Sequence, residues 1–122
     1  MILRSGIDII EISRLDEVNP EIRKRFIARV YTQTEIAQAR NGTDALTGLF
    51  AAKEAVSKAL GTGIGFVHWQ DIEIHHLNCG QPVVRLHGNA RMVADQLGLE
   101  SWSVSISHDR DKVVAMAVAI GG

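Results

Sequence analysis

Ile2 to Ile12 is rich in β-branched residues, and a period of two sets Ile2, Asp8, Ile10 and Ile12 on one face, which predicts a strand. The period then lengthens. Asn19-Pro20 offers an N-cap followed by proline in the first turn, and Ile22, Phe26, Ile27 and Val30 recur at helical spacing. Thr32 and Glu35 form a capping-box pattern that opens a short helix closing at Asn41-Gly42. Thr43 stands where it can cap the strongest helical pattern, which runs to Leu60 and meets its stop at Gly61.

Beyond Gly61-Thr62-Gly63-Ile64-Gly65 the pattern turns to strands. Trp69 to Leu77 alternates, with Ile72 and Ile74 opposite Asp71, Glu73 and His75, and Val83 to His87 follows the Gly80-Gln81-Pro82 turn as the second arm of a hairpin. Asn89 is placed to cap a helix carrying Ala90, Met92, Val93 and Leu97, closed by Gly98. Trp102 to His108 alternates cleanly, Asp109-Arg110-Asp111 turns, and Val113 to Ile120 is an apolar run suited to a fully buried strand. The expected fold is α+β: a single domain over residues 1–122, with a mainly antiparallel sheet of about five strands packed against a long central helix.

Composition narrows the function classes. Thirteen basic and fourteen acidic side chains give a net charge of −1, so any site for a polyanion must be local rather than a field over the whole protein. The single Cys79 cannot form an internal disulfide. No apolar run approaches the ~18 residues of a membrane span. Asp8 and Glu11 interrupt the N-terminal segment where a signal peptide would be greasy, which points to the cytoplasm.

Charges on apolar faces carry the chemical information, because an ion withdrawn from water needs a partner. Asp8 shares a face with Ile10. Lys53 sits inside the stripe Leu46, Leu49, Val56 and Leu60, where it must snorkel out, find an acidic partner or serve an interface. His108 ends the Trp102, Val104 and Ile106 face, and Asp109 could orient its ring or merely begin the turn. Glu54 and Lys58, four apart on another flank of the helix, read either as a surface pair or as site residues.

If the first strand meets this helix, Asp8 and Glu54 would suit a hard cation such as magnesium, which needs few protein ligands. Lys58 and the glycine-rich segment could then hold phosphates, although glycines after a helix are equally a plain C-cap. Residues 22 to 30 hold four cations and no anion. With Arg14 and Phe26 they read as a solvated face or as a dock for an acidic protein.

Three segments together carry a resemblance. Gly6-Ile7-Asp8-Ile9-Ile10-Glu11-Ile12, then Phe50-Ala51-Ala52-Lys53-Glu54-Ala55-Val56-Ser57-Lys58-Ala59-Leu60-Gly61-Thr62-Gly63, then Ser105-Ile106-Ser107-His108 is similar to the holo-acyl-carrier-protein synthase family, the small bacterial 4′-phosphopantetheinyl transferases. Asp71-Ile72-Glu73-Ile74 and Gly80-Gln81-Pro82 add further landmarks.

The resemblance implies magnesium-dependent transfer of 4′-phosphopantetheine from coenzyme A to a serine of apo acyl carrier protein, releasing adenosine 3′,5′-bisphosphate, in support of fatty acid biosynthesis. It also implies a homotrimer with active sites between subunits. Asp8 and Glu54 would hold the metal and Lys58 the phosphates. Gly61, Thr62, Gly63 and Pro82 would line the coenzyme site, with His108 reaching in from the adjoining subunit. Arg14, Arg25 and Phe26 on the first helix would meet the carrier protein. A water held by Glu54 or Asp8, or His108 supported by Asp109, would take the serine proton.

The chain departs from the family pattern at Leu49 and Gln81, where arginine and lysine are usual, with Arg40 or Lys112 as possible replacements. Competing readings are a transferase dedicated to a polyketide or peptide-synthesis carrier, a non-catalytic coenzyme A binding module, and a purely structural trimer.

Overall fold

The computed structural model describes residues 1–122, and its elements follow the order β1 (Ile2–Glu11), α1 (Ser13–Asp16), α2 (Pro20–Val30), α3 (Gln33–Ala39), α4 (Thr43–Leu60), a 3-10 turn (Trp69–Asp71), β2 (Ile72–His76), β3 (Pro82–Leu86), α5 (Gly88–Leu97), β4 (Leu99–Asp109) and β5 (Lys112–Gly121). The central element is α4. Leu46, Leu49, Lys53, Val56 and Leu60 on its apolar stripe are each at most 2% exposed. Its small residues Ala52, Ala55 and Ala59 face equally small ones on β5, Ala115, Ala117 and Ala119, and all six are fully buried.

Small side chains on both surfaces let helix and sheet approach closely, and β1 takes this furthest. A Cβ on Gly6 would fall 1.9 Å from the Ala55 carbonyl oxygen, so only glycine allows β1 to lie against α4 at that point. Alternation then places Arg4 and Asp8 on the same α4-facing side.

All five expected strands form, but in two sheets rather than one. The three-stranded sheet has the order β1-β5-β4, and β2 pairs only with β3; every pairing is antiparallel. The separation has a local cause. On β2, Ile72 gives its carbonyl to Lys53 Nζ, and Ile74 N donates to Glu35 Oε2 at 2.8 Å. Side chains of α3 and α4 thus occupy the backbone groups of β2 that a further strand would use.

The same arrangement corrects the expected alternation in β2. Ile72, Glu73 and Ile74 are all buried, so Glu73 does not face solvent. Its carboxylate accepts from Thr32 Oγ1 at 2.6 Å and has His75 Nε2 and His87 Nε2 at 2.9 and 3.0 Å. Burial pushes the Glu73 carboxyl up, but the hydrogen bonds from Thr32 and His87 and the close His75 ring outweigh it and bring the pKa down to about 2.

Capping is legible in part. The Thr32–Glu35 capping box is present, Asn19 accepts from Glu21 N, and Gly61 and Gly98 close their helices in the left-handed conformation. Thr43 is not a cap: Gly42 precedes α4, and the Thr43 hydroxyl donates to Asp16 Oδ1. Asn89 lies inside α5 and donates to the Phe66 carbonyl. Arg14 belongs to the short α1, whereas Arg25 and Phe26 lie on α2. The Val113 to Ile120 run is buried on one face only, since Met116 and Ile120 are 47% and 40% exposed.

Candidate active site

Strand β1 and helix α4 run side by side, and the Gly6 contact fixes their register. Asp8 emerges from β1 next to the flank of α4 that carries Glu54 and Lys58. Lys58 Nζ donates to the Ile7 carbonyl at 3.0 Å and pairs with Asp8 Oδ1 at 3.3 Å. The helix therefore pairs its lysine with the strand aspartate rather than with Glu54, the partner that spacing alone would choose.

Glu54 is left as a carboxylate with no ion pair of its own. Burial raises its pKa, repulsion from Asp8 raises it further, and Lys58 offsets part of the rise. Two carboxylates that repel one another across a strand and a helix, with one lysine to balance them, form a donor set with an excess of negative charge. Such a set suits a small divalent cation completed by water and phosphate oxygens.

Beyond Lys58, α4 ends in the Gly61-Thr62-Gly63 turn. Gly61 and Gly63 take φ of +81° and +62°, and Gly63 N donates to the Ser57 carbonyl. This is the plain C-cap that the sequence allowed, and it also leaves a turn without bulk beside the lysine.

His108 and Pro82 are in a different place. They line a cleft of about 350 Å³ with Gln38, Gly48, Leu49 and His76, and neither Asp8 nor Glu54 borders it. Gly48 gives the room, since a Cβ there would be 3.3 Å from the His108 ring. His108 Nε2 lies 3.0 Å from the carbonyl oxygen of Asp44, so the ring is oriented by α4 and not by Asp109. One chain thus brings together Asp8, Glu54, Lys58 and the glycine turn, and holds His108 and Pro82 apart from them.

A third region lies at the far end of β1, bordered by Ile10 and Glu11. Arg14, Val18, Ile22, Phe26 and Phe50 surround a mostly apolar cleft of about 260 Å³. Phe50 sits one helical turn before Glu54 and continues the ring series, stacking on Trp69 at 4.8 Å between centroids and meeting Phe26 at 5.4 Å. Leu49 is buried, Arg40 ends α3, and Lys112 lines a separate shallow cleft with Glu11 and Arg14; neither cation borders the glycine turn.

Under this site lies a node that the sequence showed only as an anomaly. Lys53 Nζ meets Glu35 Oε1 at 2.7 Å and donates to the carbonyls of Trp69 and Ile72, with both side chains fully buried. Burial pulls the Lys53 pKa down, while Glu35 and Glu73 push it back up. The ion pair connects α3, α4 and the start of β2 immediately beside Glu54.

The model of the 4′-phosphopantetheinyl transferase superfamily matches residues 4–117. A holo-[acyl-carrier-protein] synthase of Moorella thermoacetica is 48% identical over 119 residues, covering 95% of this chain and 92% of the relative. The chain belongs to the holo-acyl-carrier-protein synthase family. Another such synthase, from Natranaerobius thermophilus, is 43% identical with 97% of each chain covered. Among solved structures, the Helicobacter pylori synthase in complex with coenzyme A superposes with a TM-score of 0.86 at 32% identity, covering 95% of this chain and 99% of that one. As a holo-acyl-carrier-protein synthase family member, the chain is a 4′-phosphopantetheinyl transferase with the α+β fold of that family.

Proposed function

We propose that this enzyme moves 4′-phosphopantetheine from coenzyme A to the serine hydroxyl of an apo acyl carrier protein, with adenosine 3′,5′-bisphosphate as the other product, and that it serves fatty acid biosynthesis in the cytoplasm. The observation that carries the reading is the convergence of Asp8, Glu54 and Lys58 between β1 and α4. The bond to break is a phosphoanhydride P–O bond, and the bond to form joins phosphorus to the serine oxygen. Such a transfer asks the protein mainly for alignment and for compensation of phosphate charge.

Each residue then has a role. Asp8 and Glu54 would hold a magnesium ion, which would supply charge neutralisation at the pyrophosphate. Lys58, half exposed and tethered to Ile7 and Asp8, is placed to meet phosphate oxygens as a point charge. A water held by Glu54 or Asp8, or His108 from a neighbouring subunit, would take the serine proton. Gly61, Thr62 and Gly63 would line the coenzyme, the two glycines giving its chain close approach to the backbone. The apolar cleft at Phe26 and Phe50, with Arg14 on its rim and Arg25 on α2, fits an acidic carrier helix that presents an apolar residue.

The same proposal includes a homotrimer, for which the exposed apolar face of the three-stranded sheet is the support. Ile7 and Ile9 on the outer face of β1 are 60% and 62% exposed, and Met116 opposite Ile7 and Ile120 opposite Leu3 extend this apolar face across β5. A neighbouring subunit seated there would cover it and could bring His108 and Pro82 to the Asp8 groove. Incubation with coenzyme A, magnesium and apo carrier protein, followed by intact mass, tests the function. One added phosphopantetheine per carrier is expected, lost on chelation of the metal; no added mass on fatty-acid, polyketide or peptide-synthesis carriers would refute it.

A further inference from the structure

On β1 the residues that face α4 end in Arg4, beyond Asp8 and Gly6. Arg4 Nε donates to the Ala59 carbonyl at 2.8 Å, one of the last carbonyls of α4, which the helix leaves without a donor of its own. This anchor fixes the plane of the guanidinium and uses one of its five N–H groups. No acidic side chain pairs with it, in contrast to Lys58, Lys53 and Arg91. The free end is directed at the glycine turn, because a Cβ on Gly61 would fall 2.4 Å from Arg4 Nη2.

Two fixed cations therefore flank the end of α4. Lys58 lies beside Asp8, and Arg4 lies at Gly61, about 4.5 Å further along the helix axis by helical rise. A residue serving only to cap the helix needs a single donor, whereas this one holds two Nη groups in the fork geometry that matches a phosphate.

We propose that Arg4 is a coenzyme-binding residue whose Nη groups receive a phosphate of the coenzyme lying over Gly61-Thr62-Gly63, on the side of Lys58 away from Asp8 and Glu54. The inference rests on the coenzyme occupying this groove and adds to it a specific cation, one that the sequence pattern concealed because arginine near a chain terminus carries no motif.

The variants Arg4→Gln, Arg4→Lys and Arg4→Ala separate recognition from capping. Glutamine keeps an N–H donor for Ala59 and loses the charge and the fork. Binding of adenosine 3′,5′-bisphosphate, measured by calorimetry at low and high salt, gives a readout independent of turnover. Steady-state kinetics with coenzyme A and carrier protein give a second, and thermal unfolding a third.

Arg4→Gln is expected to weaken adenosine 3′,5′-bisphosphate binding and raise KM for coenzyme A about tenfold, as for loss of a charge-assisted hydrogen bond. Its kcat, carrier KM and Tm should stay near wild type, its binding should depend less on salt, and Arg4→Lys should recover part of the affinity. Unchanged affinity in Arg4→Gln, or weakening only in proportion to a lower Tm, would overturn the assignment. A wild-type chain that binds the bisphosphate but transfers nothing would count against the transferase reading instead.

Discussion

Replacing Lys53 by methionine tests how the site is held. Methionine matches the stem of lysine and keeps the helix, but it removes the ammonium that meets Glu35 at 2.7 Å and serves the carbonyls of Trp69 and Ile72. Glu35 would then keep only Thr32 N and Ile74 N, at 2.9 and 2.8 Å, for a carboxylate with no exposure to water. Breaking a buried pair in this way costs about 3–5 kcal/mol. For a domain of this size that corresponds to a fall in Tm of roughly 10–20 °C.

Urea and thermal unfolding of wild type, Lys53→Met, Glu35→Gln and the double variant complete a cycle. The double variant should lose less than the sum of the singles, because neither charge is left buried alone. A Lys53→Met protein within about 1 kcal/mol of wild type, or strict additivity, would refute the ion pair as the connection between α3, α4 and β2, since ordinary surface substitutions stay within about 0.5 kcal/mol.

Glu54→Gln should leave Tm unchanged or slightly raised, since it removes a carboxylate that Asp8 repels, while turnover falls at least a hundredfold even in saturating magnesium; near-normal turnover would reject its role. Gly6→Ala places a Cβ 1.9 Å from the Ala55 carbonyl, so β1 must shift off α4, with loss of about 3 kcal/mol or more and of activity together; a wild-type Tm would contradict the close approach. Glu73, lowered from 4.5 to about 2, contributes stability that is present above pH 4.5 and lost as pH falls toward 2. The Tm difference between wild type and Glu73→Gln should therefore shrink below pH 4.5, and a constant gap would show that the carboxylate charge is not the cause.

Local signals carried most of the element boundaries. The Thr32–Glu35 capping box, the stop at Gly61 and the Leu46 to Leu60 stripe depend on neighbours within a turn or two, and each stands where its pattern put it. Asp8 and Glu54 were visible as carboxylates, Asp8 through its apolar strand face, but their meeting depends on the β1–α4 contact at Gly6, which no periodicity encodes.

What local pattern missed was decided by tertiary partners. Alternation set Glu73 opposite Ile72 and Ile74, yet Thr32 and His87 supply hydrogen bonds and the His75 ring lies 2.9 Å away, which together make its burial tolerable. Lys53 declared itself as misplaced, while Glu35 looked like an ordinary capping residue and not its partner. Asn89 had the composition of a cap but was drawn to the Phe66 carbonyl, and α5 starts without a side-chain cap. The outer face of β5 is exposed at Met116 and Ile120 although the run is apolar throughout, because an apolar run does not distinguish a covered face from an uncovered one.

The most direct measurement is a crystal grown with manganese in place of magnesium and with coenzyme A, examined by anomalous scattering. One ion should lie within coordination distance, about 2.1–2.3 Å, of a carboxylate oxygen of Asp8 and one of Glu54, with a phosphate oxygen of the coenzyme completing its shell. An ion bound elsewhere, or a coenzyme pyrophosphate seated away from both carboxylates, would contradict the account.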